Sequence, residues 1–384
     1  MYFLLPKYYT QNFAYAEESV EEQLSQEVDN IIGDIDFSEL ENYYNKSSDF
    51  YNSAFGTSSF KEFLAKLIRG ELLTEFDSVF SAILVLIKSN ISAILSPILL
   101  ILVILLIATI FKSVRSKVAE SEVASAIFFI CYSIVATIVC GLITNIIASV
   151  SNTISRMKNQ CDASFPTVLM LMNAMGGGTS VKAYQPMVLL LSNFVTNVFV
   201  KVLLPIVITI FAIGIIGAIS KKSKLTGLID FFNSIFKWTI GLVFTIYIGF
   251  MSIQGITAAA ADGISIKTAK YAIKNYVPVL GGYISDGFEL ARTGALIVKN
   301  AIGFSGVFAM IAMVLSPILL ICSVQLSLKL ITGIIEPIAE GKSKQILSAA
   351  SKCLSMLLTI IIGVFIMYFV STMLLIFSLS GASL

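Results

Sequence analysis

The chain has 384 residues, of which 57% are hydrophobic and 13% are charged, with a formal net charge of +2. A soluble fold of this length needs more charge to cover its surface, and several apolar runs approach the roughly 20 residues that cross a bilayer. Composition therefore excludes an ordinary soluble domain. Because backbone groups inside a membrane must be satisfied within the segment, it predicts an all-α, polytopic membrane protein.

Charge divides the chain into two regions. Residues 1–87 hold five Lys or Arg against fifteen Asp or Glu, whereas residues 88–384 hold 21 against nine. We therefore predict an acidic region at 17–88 and a polytopic membrane domain at 89–384.

The amino terminus has the pattern of a cleaved export signal. Ala14-Tyr15-Ala16 stands directly before the acidic stretch, as at a signal-peptidase junction, although the apolar core before it is short. We interpret 1–16 as a truncated signal peptide, with a disordered terminus as the alternative. The signal would make 17–88 extracytoplasmic, either as a docking region or as a solvated cap on the membrane. Within it, apolar residues spaced by three and four predict an amphipathic helix at Phe60, Phe63, Leu64 and Leu67.

One hexapeptide recurs along the membrane domain. SPILLI stands at 96–101 and again at 316–321, and a looser copy contains Pro205. Pro97, Pro205 and Pro317 lie 108 and 112 residues apart, each in an apolar run that ends in a lysine-containing break. We predict that the three prolines kink their helices. The pattern predicts six to eight transmembrane helices in three hairpin-like repeats, near 89–150, 163–261 and 276–380.

Two apolar pieces in the second and third repeats contain glycines. Each piece begins near a proline, and the two prolines, Pro166 and Pro278, lie 112 residues apart, the same interval as between Pro205 and Pro317. Pieces of about 10–14 apolar residues are more typical of interfacial or re-entrant segments than of spans, and such segments can line a pathway. The alternative is a packed turn between helices. The glycines are Gly176, Gly177, Gly178, Gly281 and Gly282.

The run from Gln185 to Ile219 is apolar except for a polar stripe. On a helix, Asn193, Asn197 and Lys201 share one face at a spacing of four residues. The run is either one span preceded by an interfacial helix or two spans that turn at Lys201. The stripe is interpreted as helix packing, snorkelling of the lysine, or part of a transport pathway.

The sequence contains no histidine, and its five cysteines form no CxxC pair. The usual neutral-pH base and the usual metal ligand are therefore missing. We expect no catalytic residues, no metal, no cofactor and no enzymatic activity. The short connections between spans are rich in lysine, which predicts that they are cytoplasmic and that the amino terminus is outside.

Three stretches resemble the stage III sporulation protein AE family of endospore-forming bacteria: FPT at 165–167 with NAMGGG at 173–178, VPVLGGYISD at 277–286, and VKNAIG at 298–303. The resemblance implies a multi-pass protein of the mother-cell membrane. It also implies a complex with the other stage III A proteins and a forespore membrane partner, acting as a channel or feeding apparatus for late forespore development. No catalytic residue transfers. The alternative that we keep is a stand-alone secondary transporter or permease, which repeats and glycine-broken segments favour.

Overall fold

The computed structural model describes residues 22–45, 48–71, 76–115, 122–219, 225–276, 281–335 and 341–379. Their regular structure is entirely helical, with no strand, so the predicted all-α class is confirmed. The signal-peptide prediction for 1–16 and the proline at 278 lie outside the described residues.

Four short helices build the acidic region: α1 (22–34), α2 (Ser38–Asn45), α3 (Ser48–Phe55) and α4 (Phe60–Ile68). Helix α4 begins where the Ser59 hydroxyl accepts a hydrogen bond from the Glu62 N–H at 3.2 Å, and the Glu62 carboxylate accepts one from the Ser58 N–H at 2.9 Å. These bonds satisfy backbone donors that a helix start leaves open. Phe60, Phe63 and Leu64 are the buried face of α4, at the predicted spacing.

Aromatic rings fill the space between these short helices. Tyr44 stacks on Tyr51 with centroids 4.4 Å apart, and Tyr51 meets Phe63 edge-on at 5.0 Å. The Tyr44 hydroxyl donates to the Thr57 carbonyl at 2.9 Å, so the ring is buried without an unsatisfied hydroxyl. Burial raises the pKa of the Tyr44 and Tyr51 phenols above the usual value. The acidic region is therefore folded around its own core.

The same aromatic core continues onto the membrane domain. Phe308 contacts Phe55 at 5.5 Å and Phe63 at 6.0 Å between ring centroids, both edge-on. A Cβ at Gly294 would lie 3.2 Å from the side chain of Glu27, so α1 also packs closely there. The acidic region thus rests on the helix that contains residues 294 and 308.

Eight further helices, most of them long, account for most of the described residues after 75. They are α5 (Phe76–Arg115), α6 (Glu122–Ala174), α7 (Gly178–Leu190), α8 (Thr196–Val198), α9 (Leu204–Ile219), α10 (Thr226–Tyr276), α11 (Gly281–Ile335) and α12 (Gly341–Phe377). Two π-helical turns, π1 (Leu191–Val195) and π2 (Phe199–Leu203), join α7, α8 and α9 into one rod. Neighbouring rods are linked by short connections and therefore run antiparallel.

Five helical segments are long and apolar enough to cross a membrane, and Leu95–Ile107 is a shorter apolar stretch within α5. The five are Phe129–Ala174, Asn193–Ile219, Thr226–Ser252, Ser285–Ile334 and Ser343–Phe377. The prediction of a multi-helix membrane protein therefore stands, while the count of six to eight spans and the three-repeat organisation stay predictions.

Three helices are much longer than a bilayer is thick. Helices α6, α10 and α11 have 53, 51 and 55 residues, which at 1.5 Å per residue is about 76–83 Å. The hydrocarbon core is about 30 Å thick, so roughly half of each helix extends beyond it. The more polar halves, 151–174, 253–276 and 281–300, lie at the end of the bundle where the acidic region packs.

Two polar stretches of the membrane domain are continuous with the apolar helices beside them. Residues 151–174 continue α6, and residues 226–276 form the single helix α10. In α6 the cause is an amphipathic pattern with spacings of three and four, which lets one face stay buried while the other is exposed. Its buried residues are Ile154, Met157, Cys161, Phe165, Val168 and Met172.

The chain does not turn at Lys201. Residues 178–219 are helical throughout, so the alternative of two spans is wrong and a single rod is correct. Lys201 lies in π2, just before Pro205. In an α-helix the Pro205 ring would clash with the Lys201 carbonyl four residues earlier, and a wider π turn relieves that contact.

Helices also continue through the other two repeat prolines. Pro97 is half-buried within α5, and Pro317 is buried within α11. The predicted kinks at Pro97, Pro205 and Pro317 stay predictions.

Helix α12 lies at the centre of the bundle. Its fully buried residues include Cys353, Leu354, Leu357, Ile360, Ile361, Val364, Met367 and Tyr368. The Tyr368 hydroxyl is 2.8 Å from the Thr196 hydroxyl, and the Tyr247 hydroxyl donates to the Met367 carbonyl at 2.7 Å. Hydrogen bonds from two other rods therefore hold α12 at Met367 and Tyr368.

Candidate functional site

Helix α12 ends against a buried lysine. Lys299, on α11, has no exposed surface, and its Nζ donates to the carbonyls of Ile376 at 2.8 Å and Ser378 at 2.5 Å. The last carbonyls of a helix have no partner within the helix, and a lysine side chain can satisfy them. Lys299 thus caps the end of α12 from a neighbouring helix.

Gly303 lets the two helices approach at this cap. It lies four residues after Lys299 and so on the same face of α11. A Cβ at Gly303 would come 2.3 Å from Cγ1 of Ile376, closer than any real contact. The capping lysine and the glycine therefore act on the same turn of α12.

The end of α6 packs against the same turn. Gly176 has φ +85°, the Gly177 N–H donates to the Met172 carbonyl at 2.9 Å, and the Gly176 N–H donates to the Asn173 carbonyl at 3.0 Å. This is the Schellman arrangement, in which a left-handed residue ends the helix. Gly178 then begins α7.

Gly177 is the close contact of this turn. A Cβ there would lie 2.3 Å from Cδ1 of Leu379 and 2.8 Å from the Met172 carbonyl oxygen. The Ser378 hydroxyl approaches the Met172 sulfur at 3.4 Å. These contacts support the interpretation of the triple glycine as a packed turn between helices, and the re-entrant interpretation stays a prediction.

We call this junction the C-terminal clasp. It consists of residues 172–177, at the end of α6 and in the turn after it, Lys299 and Gly303 on α11, and residues 376–379, at the end of α12 and directly after it. Two of its three parts, NAMGGG at 173–178 and VKNAIG at 298–303, stood out as motifs in the sequence, but nothing in the sequence predicted that they lie close together. The role of Lys299 was missed, and the available signal was a lysine directly before a long apolar run, in the stretch VKNAIG. Gly281 and Gly282 begin α11 and are not part of the clasp.

A second crossing links the polar half of α6 to α11. The Gln160 side-chain amide donates to the Gly306 carbonyl at 3.1 Å, and the Ser164 hydroxyl donates to the Gln160 carbonyl at 3.0 Å. Gln160 and Ser164 are buried. The α6–α11 pair is thus held at Gln160 as well as at the clasp.

The predicted polar stripe lies away from the clasp. Asn193, Asn197 and Lys201 are all exposed, although they fall within the apolar segment Asn193–Ile219. Their exposure means that the stripe is a feature of the outer surface of the bundle and does not serve as packing within the core of this chain.

Among the described residues, no group of three or more His, Cys, Asp or Glu side chains is placed to bind a metal ion. The five cysteines are free thiols, and Cys161 and Cys353 are buried.

Comparison with known proteins identifies the family. A family model described as stage III sporulation protein AE matches residues 58–378, which include α4, the polar stripe and every part of the clasp except Leu379. The chain belongs to the stage III sporulation protein AE family. The family resemblance predicted from the sequence is therefore confirmed, and the chain is a membrane protein of sporulating cells.

A stage III sporulation protein AE from Bacillus subtilis (strain 168) is 27% identical over 221 residues. The match covers 58% of this chain and 55% of that protein, so it spans about half the length of the curated relative. No solved structure matches this member of the family.

Proposed function

We propose that this protein is a membrane component of a channel or feeding complex that links the mother cell to the forespore and supports late forespore development. It works with other stage III A proteins and a forespore membrane partner, in the mother-cell membrane, and it is not an enzyme. Family membership supports the sporulation role. The exposed polar stripe is the observation that favours an assembled component over a protein that works alone.

Lys201 is the most costly residue of the stripe to expose to lipid. It lies eight residues inside the segment Asn193–Ile219 and is exposed, so it is about 12 Å from the start of that segment along a helix. A lysine facing lipid near the bilayer centre costs about 2.5–3.5 kcal/mol on insertion scales. A partner protein or an aqueous passage against this face would remove that cost, and polar stripes in membrane helices commonly face such surfaces.

The orientation of the bundle supports an extracytoplasmic acidic region. The connection at 220–224 contains three lysines, whereas the connections at the other end, 175–177 and 277–280, contain no Lys or Arg. The end with lysines is expected in the cytoplasm. The acidic region packs near Gly294 and Phe308, toward the opposite end. There it could meet a partner across the intermembrane space.

The transporter alternative has less support. Coupling to protons or sodium commonly uses a carboxylate inside the membrane. The segments Asn193–Ile219 and Ser343–Phe377, which include the central helix, contain no Asp or Glu.

Co-purification from sporulating cells tests the proposal. The tagged wild-type chain is expected to isolate other stage III sporulation proteins, and Lys201→Leu is expected to weaken that association and reduce spore yield. Lys237→Leu is the matched control, because Lys237 is also exposed but lies outside the stripe. Equal association in both variants would show that the stripe is ordinary lipid-facing surface. Substrate-driven uptake into liposomes by the chain alone would overturn the proposal in favour of a transporter.

A further inference from the structure

The end of the bundle opposite the clasp contains a cavity of about 650 Å³ between the end of α9 and the beginnings of α10 and α12. It exists because α9 and α12 touch at one point and diverge beyond it. A Cβ at Gly214 would lie 2.8 Å from Cβ of Ala349, whereas a Cβ at Gly217 would meet nothing nearer than Leu225 at 4.0 Å. Small residues therefore leave the space unfilled.

The lining of this cavity is basic and polar on one side and apolar on the other. Lys344 and Lys352 lie on the α12 side together with Gln345 and Ser348, and Leu225 and Ile229 lie on the α10 side. No Asp or Glu lines it among the described residues. The cavity is therefore suited to an anion that also has an apolar part.

The cavity lies close to the ends of three candidate spans, at Ile219, Thr226 and Ser343. Ile216 is 57% exposed beside the α9 wall, and Leu228 is 46% exposed beside the α10 wall. Exposed branched side chains of this kind fit acyl chains, while lysines at the same level fit headgroup phosphates. A free anion would use the lysines alone.

We propose that this cavity binds the phosphate headgroup of an anionic phospholipid, with Lys344 and Lys352 contacting the phosphate and the acyl chains lying along the exposed faces near Ile216 and Leu228. Basic pockets between transmembrane helices on the cytoplasmic side bind anionic headgroups in this manner. The bound lipid would fill the space between α9, α10 and α12 and contact all three helices at the lysine-rich end. The site is independent of the sporulation complex, so its test does not depend on that proposal.

Native mass spectrometry of the full chain in uncharged detergent tests the site. With added phosphatidylglycerol or phosphatidylcholine, the chain is expected to retain phosphatidylglycerol preferentially. The K344Q/K352Q variant is expected to bind phosphatidylglycerol about 30-fold more weakly, since each lysine near an anionic lipid strengthens binding about fivefold and the two factors multiply. The control K237Q/K329Q removes the same charge from exposed lysines that do not line the cavity, and it is expected to bind like the wild type.

A second variant separates shape from charge. Gly217→Leu places a side chain in the cavity while keeping both lysines, and it is expected to lose phosphatidylglycerol as well. Equal retention of the lipid by K344Q/K352Q and by the control would overturn the proposal. So would an experiment in which inorganic phosphate alone displaces the lipid and stabilises the chain to the same extent, because the ligand would then be a free anion.

Discussion

Replacing Lys299 with Met removes the capping Nζ while keeping a long, unbranched side chain in the clasp. The wild-type Nζ donates to two carbonyls at the end of α12, at 2.8 and 2.5 Å. Both of those residues are buried, Ile376 at 2% exposure and Ser378 at 5%. The substitution therefore leaves two acceptors without their donor in a place with little access to water.

The size of the effect follows from two opposing contributions. A buried acceptor left without a partner costs about 1–3 kcal/mol, so two cost about 2–6 kcal/mol. Removing a buried amine also removes the cost of its desolvation, which offsets part of that loss. We expect a net loss of about 2 kcal/mol, concentrated in the last turn of α12.

Hydrogen exchange measures that loss locally. Amides in residues 374–379 are expected to exchange about 30-fold faster in Lys299→Met, because a loss of 2 kcal/mol in opening free energy corresponds to that factor. Lys329→Met on the same helix is the control, because Lys329 is exposed. Unchanged protection of the last turn in Lys299→Met would refute the capping role. Faster exchange throughout the bundle would show a global effect and would contradict the local one.

Two further predictions concern packing. Gly177→Ala is expected to lower the unfolding free energy by about 2 kcal/mol, because its Cβ would overlap Leu379 and a backbone carbonyl, whereas Gly178→Ala, whose nearest atom is at 3.8 Å, is expected to be neutral in thermal unfolding. Phe308→Ala removes two aromatic contacts worth about 1–3 kcal/mol and is expected to speed proteolysis of the acidic region. Phe129→Ala, which truncates an exposed ring on α6, is its control, and equal cleavage in both would exclude docking through Phe308.

The fold class was predictable because it depends on composition and local pattern. Long apolar runs without charge predict helices in a membrane, and the spacing of Phe60, Phe63 and Leu64 predicted the buried face of α4. The predicted boundaries failed where polarity was taken as a sign of a break. Residues 151–174 are polar on one side only, and their apolar residues keep the helical spacing of the span before them, so α6 continues.

The motifs of the candidate site could be recognised in the sequence, but the contacts between them could not be predicted. Gly177 and the stretch around Lys299 stood out in the sequence, but they lie more than 100 residues apart, and no local signal says that both meet the end of α12. The stripe of Asn193, Asn197 and Lys201 was recognised from helical spacing, yet spacing does not say whether that face is buried. The structure shows that it is exposed.

The sequence by itself determined that this protein is helical, that it is inserted in a membrane, and which family it resembles, because these properties depend on residue content and on motifs of a few residues. Tertiary structure decided that α12 is the central helix, that Lys299 caps it, and that α9, α10 and α12 leave a basic cavity at their ends. Those features depend on which faces of distant helices meet. Small differences in side-chain size, such as a glycine at 177, 217 or 303, set how closely the helices approach.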